Sequence, residues 1–211
     1  SQLTSLKELA DSLDGVQEGA AALIRSQHGK KYELLGSMLN CDARFTAAVE
    51  ASLGHLLELV ILRDGDQATQ LYDWCNNTEN RVLGLDYFVS GESSVSSNES
   101  FERLKLAFPP EELGEIYSLA DRIQSGEKDF TSSINTLLAD SYIVTNLSLE
   151  AVDKLPKTLH FNSIVSLDGS VVVSRERGGR IVTLPSKSSA APGVVDRNNR
   201  IVQLQQELER V

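Results

Sequence analysis

The two ends of the chain carry its clearest pattern. Leu6, Leu9, Leu13, Val16, Ala20 and Leu23 follow one another at steps of 3, 4, 3, 4 and 3, and Ile201, Leu204, Leu208 and Val211 repeat 3, 4, 3. This spacing lays apolar side chains along one helical stripe of period 3.5, the seam on which two helices wind together. Two readings stay open. The ends are either ordinary amphipathic helices lying on a core, or an incoming and an outgoing helix that pair antiparallel with a globular domain inserted between them.

Between the ends, helical and strand periods alternate. The pattern predicts a short strand over 34–40, then a helix N-capped by Asp42, reaching Leu53 and stopped by Gly54. The apolar run 56–62 reads as a strand covered on both faces, followed by a helix over 64–76 and a strand over 81–89 broken by Gly84. Residues 90–100, SGESSVSSNES, read as a polar loop. Pro109-Pro110 opens an expected acidic helix to Gln124, and a further helix covers 130–139. A strand over 142–145, a helix over 148–155 and three β-segments (159–167, 170–174 and 180–184) complete the pattern, with 185–193 as a small-residue linker into the last helix. An internal echo accompanies this order. Phe45-Thr46, Val49, Leu53, Val60-Ile61 and Ala68 return as Phe130-Thr131, Ile134, Leu138, Ile143-Val144 and Ala151. Two pseudo-equivalent halves, or two helix–strand–helix units alike by chance, both account for it.

Charge adds an asymmetry. The net charge of the 211 residues is −10, which repels nucleic acid and acidic membranes at long range. From Tyr32 to Gly169 there are 9 Lys/Arg against 22 Asp/Glu, whereas Ser170 to Val211 holds 7 against 4, and the stretch from Arg25 to Lys31 adds three bases and no acid. Any polyanion contact therefore belongs near the chain ends; scattered solvated charge is the plainer account. Cys41 and Cys75 are too few for a disulfide framework and fit reduced thiols in the cytoplasm. No apolar run approaches the roughly 18 residues of a membrane helix. The chain opens on Ser1, and its one methionine is Met38, so it reads as a piece of something longer.

Catalytic patterns are absent. The sequence has no GxxxxGK[ST], GxGxxG, GxSxG or HExxH, and His28, His55 and His160 make no zinc spacing with the two cysteines. No metal, cofactor or catalytic residue is expected. An enzyme of a class that no motif betrays is kept as a rival, to be recognised by an enclosed pocket with convergent polar groups.

Several stretches then carry a family resemblance in their order: SLDGVQEG at 12–19, where the incoming heptad helix meets the domain, then YELLGSML from Tyr32, AVEASLG at 48–54 followed by an apolar strand, YIVT from Tyr142, and SLDGSVVVSRERGG from Ser166, before the second heptad helix. Taken together they resemble the hinge of SMC (structural maintenance of chromosomes) proteins, most nearly the bacterial condensin type, over essentially the whole chain, with a poor match at about 85–128. The resemblance implies a mixed α/β fold of two similar subdomains flanked by an antiparallel coiled-coil pair. The expected divisions are a coil over 1–28, subdomains over 29–98 and 99–190, and a coil over 191–211. It also implies homodimerisation at the apex of the coils of a chromosome-organising ATPase. The ATP-using heads lie outside this stretch, and the setting is the cytoplasmic nucleoid.

The family pairs a strand near the end of one protomer's second half with the first half of its partner. On that resemblance the expected dimer contacts are Gly169, Val171, Val172, Val173, Gly178 and Gly179, glycines letting backbones approach closely. Ordinary hairpin chemistry explains the Asp168-Gly169 turn equally well. One departure stands out: where family members carry a second glycine pair, this chain has Thr183-Leu184. The resemblance further implies weak, sequence-independent DNA contact through Arg25, Lys30, Lys31, Arg175, Arg177, Arg180 and Lys187. The rival to a dimerising hinge is a monomeric α/β spacer inserted in another coiled-coil protein.

Overall fold

Strands of this chain are joined in parallel by helices twice over, and each such crossover organises its own core. The computed structural model describes residues 3–5, 7, 18–26, 31–63, 65–76, 85–89, 99–108, 110–125, 131–156, 158–176, 179–184 and 193–209. They fall into two units. The first gathers Ser1–Leu39, His55–Glu92 and Val194–Val211; the second gathers Asn40–Gly54 and Ser93–Gly193.

In the first unit α1 (Glu18–Arg25) buries Ala20 and Leu23, the last two members of the N-terminal apolar stripe. Its acidic first turn and basic last turn complement the helix dipole. A three-stranded sheet follows. β1 (Glu33–Leu34) runs antiparallel to β3 (Val60–Leu62), and β3 runs parallel to β4 (Tyr87–Val89). Parallel strands need a crossover, supplied by α4 (Gly65–Asn76), which turns Leu71 and Trp74 onto Val60, Leu62, Leu34 and Leu23. The stretch expected as one strand over 34–40 is interrupted by a single helical turn, α2 (Leu35–Met38). Leu35, Gly36 and Met38 are all buried, a demand that a strand's alternating faces do not meet. Likewise the run 56–62 is strand only in β3, its first part being a 3-10 turn over Gly54–Glu58. The outgoing helix α9 (Val194–Glu209) is tied here through Asn198, whose Nδ2 donates to Gly36 O at 2.6 Å. Its base buries Val195 and Arg197, while Leu208 is exposed.

β2 (Leu39–Cys41) carries the chain into the second unit and pairs with β6 (Ile123–Ser125). α3 (Thr46–Leu53) comes next. Asp42 shapes the turn before it, accepting Arg44 N–H on Oδ1 (2.9 Å) and Phe45 N–H on its carbonyl (2.8 Å). It does not cap the helix as expected; Phe45 holds the cap position and no side chain caps it. The unit's sheet has the order β10-β9-β8-β7-β5, formed by Gly179–Thr183, Val172–Glu176, Ser163–Ser166, Ser141–Val144 and Ile116–Ser118. β7 and β8 are parallel and buried at every position, as strands covered on both faces must be. Their crossover helix is α8 (Leu149–Lys154). Its N-cap Ser148 accepts Ala151 N–H on Oγ at 3.1 Å. One apolar cluster joins Val144, Ile164 and Val173 to Val152 and Leu155, and to Leu104 and Phe108.

The acidic helix expected to reach Gln124 is not there. α6 (Pro110–Leu113) ends at Gly114, whose φ of +69° breaks helical backbone. The chain then enters β5, a 3-10 turn over Ala120–Arg122, and β6. Conversely, α5 (Glu99–Ala107) begins inside the run expected to be loop, with Phe101 and Leu104 facing the core. α7 (Thr131–Leu137) precedes β7 as α3 precedes β3. The echo in the sequence therefore corresponds to the order helix, strand, helix, parallel strand, run through twice.

Candidate functional site

The expected contact residues lie on one path: β8, a tight turn, β9 and β10. The turn is locked by its own polar groups. Ser166 N–H donates to Val171 O (2.9 Å), Val171 N–H donates to Ser166 Oγ (3.0 Å), and Ser166 Oγ donates to Asp168 Oδ1 (2.7 Å). Ser170 N–H donates to the same carboxylate oxygen (3.0 Å). Gly169 sits at φ +69°, and a Cβ there would meet Ala47 O at 2.5 Å and Ala51 Cβ at 3.2 Å. Its backbone thus approaches α3 of its own unit. Val171, Val172 and Val173 are buried in the same protomer, and Val173 belongs to the apolar cluster under the sheet. Gly179 opens β10 opposite Glu176. Gly178 and Arg177 lie outside the described residues, as do Lys30 and Lys187.

β10 is the margin of its sheet. Among the described residues it has β9 on one side and no strand on the other. Arg175 N–H donates to Asn162 O (3.2 Å) and Ser166 N–H to Val171 O, so odd-numbered residues of β9 bond toward β8 and even-numbered ones toward β10. With Ser174 opposite Ile181, the ladder groups of Ile181 and Thr183 face β9, and those of Arg180 and Val182 face outward. The side chains here are apolar and open: Ile181 is 45% exposed, Val182 42% and Leu184 62%. Successive strand residues point to opposite faces, so both faces of the margin present hydrocarbon.

The basic residues have other employment. Arg180 donates through its Nη1 to the carbonyls of Val152, which also accepts Leu155 N–H, and Leu155, at the C-terminal end of α8, where the helix dipole favours a cation. Arg175 donates to Pro156 O at 3.2 Å and lies over the Phe161 ring. Arg25 and Lys31 are exposed in the first unit. Among the described residues the sheet's other margin is β5, which carries a charged cluster that no sequence spacing signals. Arg44 bonds Glu115 at 3.0 Å, and Tyr117 Oη donates to the same carboxylate. Arg44 and Arg122 each stand over the rings of Phe45 and Tyr117. The Tyr117 hydroxyl and the Arg44 guanidinium hold the Glu115 carboxyl below its ordinary range, and Glu115 in turn pushes Tyr117 upward.

A match to the family model described as "SMC proteins Flexible Hinge Domain" covers residues 29–149. The chain belongs to the SMC hinge family. This hinge is 29% identical over 208 residues to the chromosome partition protein Smc of Halobacteriovorax marinus, and 24% identical over 207 residues to that of Fusobacterium nucleatum subsp. nucleatum. Each alignment covers 98% of this chain and 16% of the relative, so the hinge spans about a sixth of those proteins. In fold it resembles the hinge of Geobacillus stearothermophilus SMC, crystallised as an asymmetric dimer, with a TM-score of 0.71 at 16% identity over 99% of this chain and 80% of that one. The Pyrococcus furiosus SMC hinge gives 0.55 at 17% identity over 90% and 91%.

Among the described residues of the hinge, no group of three or more His, Cys, Asp or Glu is placed to hold a metal ion, and no helix is long and apolar enough to cross a membrane. A concavity of about 160 Å³ lined by Glu112, Ser148, Glu150, Ala151 and Lys154 is closed chemically, because Lys154 pairs with both Glu112 and Glu150 at 3.4 Å.

Proposed function

We propose that this chain is the homodimerisation hinge of a chromosome-partitioning SMC protein, without catalysis or cofactor of its own. The observation that carries the reading is the β10 margin: outward ladder groups at Arg180 and Val182, flanked by exposed Ile181, Val182 and Leu184. A margin of this kind recruits another strand unless it is blunted. Family membership and the dimeric crystal form of the Geobacillus hinge support a second copy as that strand's owner. In the partner, β4 of the first-unit sheet is the receiving margin, with Tyr87 half exposed and Phe88 and Val89 partly so. Gly169 and the three valines then act from behind, holding β9 and β10 in place.

The heptad ends carry the wider role. Antiparallel pairing of the incoming and outgoing helices would extend the hinge into the coils of a longer protein whose ATP-using parts lie elsewhere, working at the nucleoid in the cytoplasm. Phosphate binding has weaker support, since the guanidinium groups of Arg175 and Arg180 are already engaged with carbonyls of their own unit.

Hydrogen exchange across a dilution series tests the reading. The Val182 amide is expected to be protected at high concentration and to lose that protection on dilution, while the Val173 amide is unchanged. Val182 exchange independent of concentration, at solvent rates throughout, contradicts it.

A further inference from the structure

The five-stranded sheet has two margins, and a chain that offered both to other copies would not stop at a dimer. With β10 of each copy seated on β4 of its partner, β5 is the margin left open on both, and pairing of β5 with β5 of another dimer repeats at each end and grows into open filaments. The two margins differ sharply. On β10 the one charge is that of Arg180, whose guanidinium is engaged at the end of α8, and residues 181–184 carry none. β5 is three residues long, and Tyr117 at its centre is overlaid by two guanidinium groups, Arg44 at 5.4 Å and Arg122 at 4.8 Å from the ring centroid. Glu115, at its edge, bonds both Arg44 and Tyr117. The backbone at β5 is otherwise as receptive. Thr145 N–H donates to Glu115 O and Leu119 N–H to Ser141 O, so odd residues bond toward β7 and the N–H groups of Ile116 and Ser118 face outward.

We propose that Arg44, Glu115 and Arg122 form a guard on β5 that bars strand addition there and confines self-association to the β10 margin. An incoming strand must strip water from two cations and a carboxylate beside the ladder, and it brings no partner for the second cation. The same rings that hold the guanidinium groups fix them in place: Phe45 and Tyr117 meet edge to face at 5.1 Å, and each cation lies on both. The guard deepens the dimerisation reading, because it explains how a sheet with two receptive margins uses one.

The test uses the whole chain with Arg44→Gln, Glu115→Gln and Arg122→Gln combined, substitutions that remove charge without adding hydrocarbon. Light scattering over rising concentration reads the mass. The unsubstituted chain is expected to level off at about 46 kDa, twice the 23.1 kDa chain. The triple variant, with unaltered circular dichroism, is expected to exceed that mass at least two-fold and keep growing. Adding Ser118→Pro, which removes an outward donor and no bond to β7, is expected to restore the lower limit. A folded triple variant that levels off with the unsubstituted chain overturns the guard, as does growth that Ser118→Pro leaves untouched. Should the triple variant fail to fold, Arg122→Gln alone, which spares the Arg44–Glu115 pair, must still raise the mass at the highest concentration or the proposal falls. A monomeric unsubstituted chain refutes the dimer instead, and guard-dependent growth is scored separately from it.

Discussion

Gly169→Ala probes the turn that sets the direction of the β9–β10 hairpin. Two effects combine in that substitution. At φ +69° an alanine pays about 1–2 kcal/mol for left-handed backbone. Its methyl would also lie 2.5 Å from Ala47 O and 3.0 Å from Ala47 C, backbone atoms of α3 that cannot rotate away, and relieving such overlap costs about 1–3 kcal/mol. Together they predict a loss of about 3 kcal/mol, or a fall of roughly 10 °C in Tm for a chain of this size. Two other glycines separate the effects. Gly54 has φ +47° and ψ −121°, outside the left-handed well, with open space around it, so Gly54→Ala is expected to cost backbone strain alone, up to about 3 kcal/mol. Gly65 has neither strain nor a neighbour, so Gly65→Ala is expected to be neutral within about 0.5 kcal/mol. Urea unfolding followed by far-UV circular dichroism orders the three. If Gly169→Ala costs no more than the about 1–2 kcal/mol of left-handed backbone alone, the close approach of the turn to α3 is not real. If it matches Gly65→Ala, the account of the turn fails altogether.

Removing the Arg180 guanidinium takes a cation from the end of α8 and a donor from Val152 O and Leu155 O, of which Val152 O keeps the Leu155 N–H, so Arg180→Ala is expected to lower stability by about 1 kcal/mol in urea unfolding, and Arg180→Glu by more. Ser148→Ala removes the α8 cap at a cost of about 1 kcal/mol, whereas Ser148→Asp retains stability; thermal melts of the pair decide it. Glu115 has a depressed folded pKa, so its contribution is present above the ordinary carboxylate range and is lost as pH falls through the folded value. The stability gap between the unsubstituted chain and Glu115→Gln is therefore expected to be full at pH 7 and to close below about pH 4, read by unfolding at each pH. A gap that widens in acid refutes that sign.

Local chemistry was legible wherever it decided local structure. The Asp168-Gly169 turn and the β-branched pairs Ile143-Val144 and Ile164-Val165 at the centres of β7 and β8 announce themselves in sequence, and so did the hinge resemblance that the family match bears out. What hid was tertiary. Ile116, Leu119, Ala120 and Ile123 fall at helical spacing, yet pairing with Tyr142, Ile143 and Val144 draws 116–118 into β5, an override that local pattern cannot announce. Phe101, Leu104 and Phe108 are themselves spaced 3 and 4 apart, a usable helix signal masked by the serine-rich residues before them. Arg180 looked like a phosphate ligand because the carbonyls it serves are 25 and 28 residues away. The β5 cluster draws on Arg44 and Glu115, 71 positions apart, and no spacing rule reaches that far.

The central claim is that two copies join through the β10 margin, and sedimentation equilibrium of the chain beside its Val182→Pro variant tests it most directly. Val182 N–H points outward, so proline there spares every bond to β9 and removes one that a partner strand needs. The account predicts a mass of about 46 kDa for the unsubstituted chain and a shift toward 23.1 kDa for the variant, with both equally folded. A 23.1 kDa species at every concentration of the unsubstituted chain, or a dimer that Val182→Pro leaves intact, would contradict it.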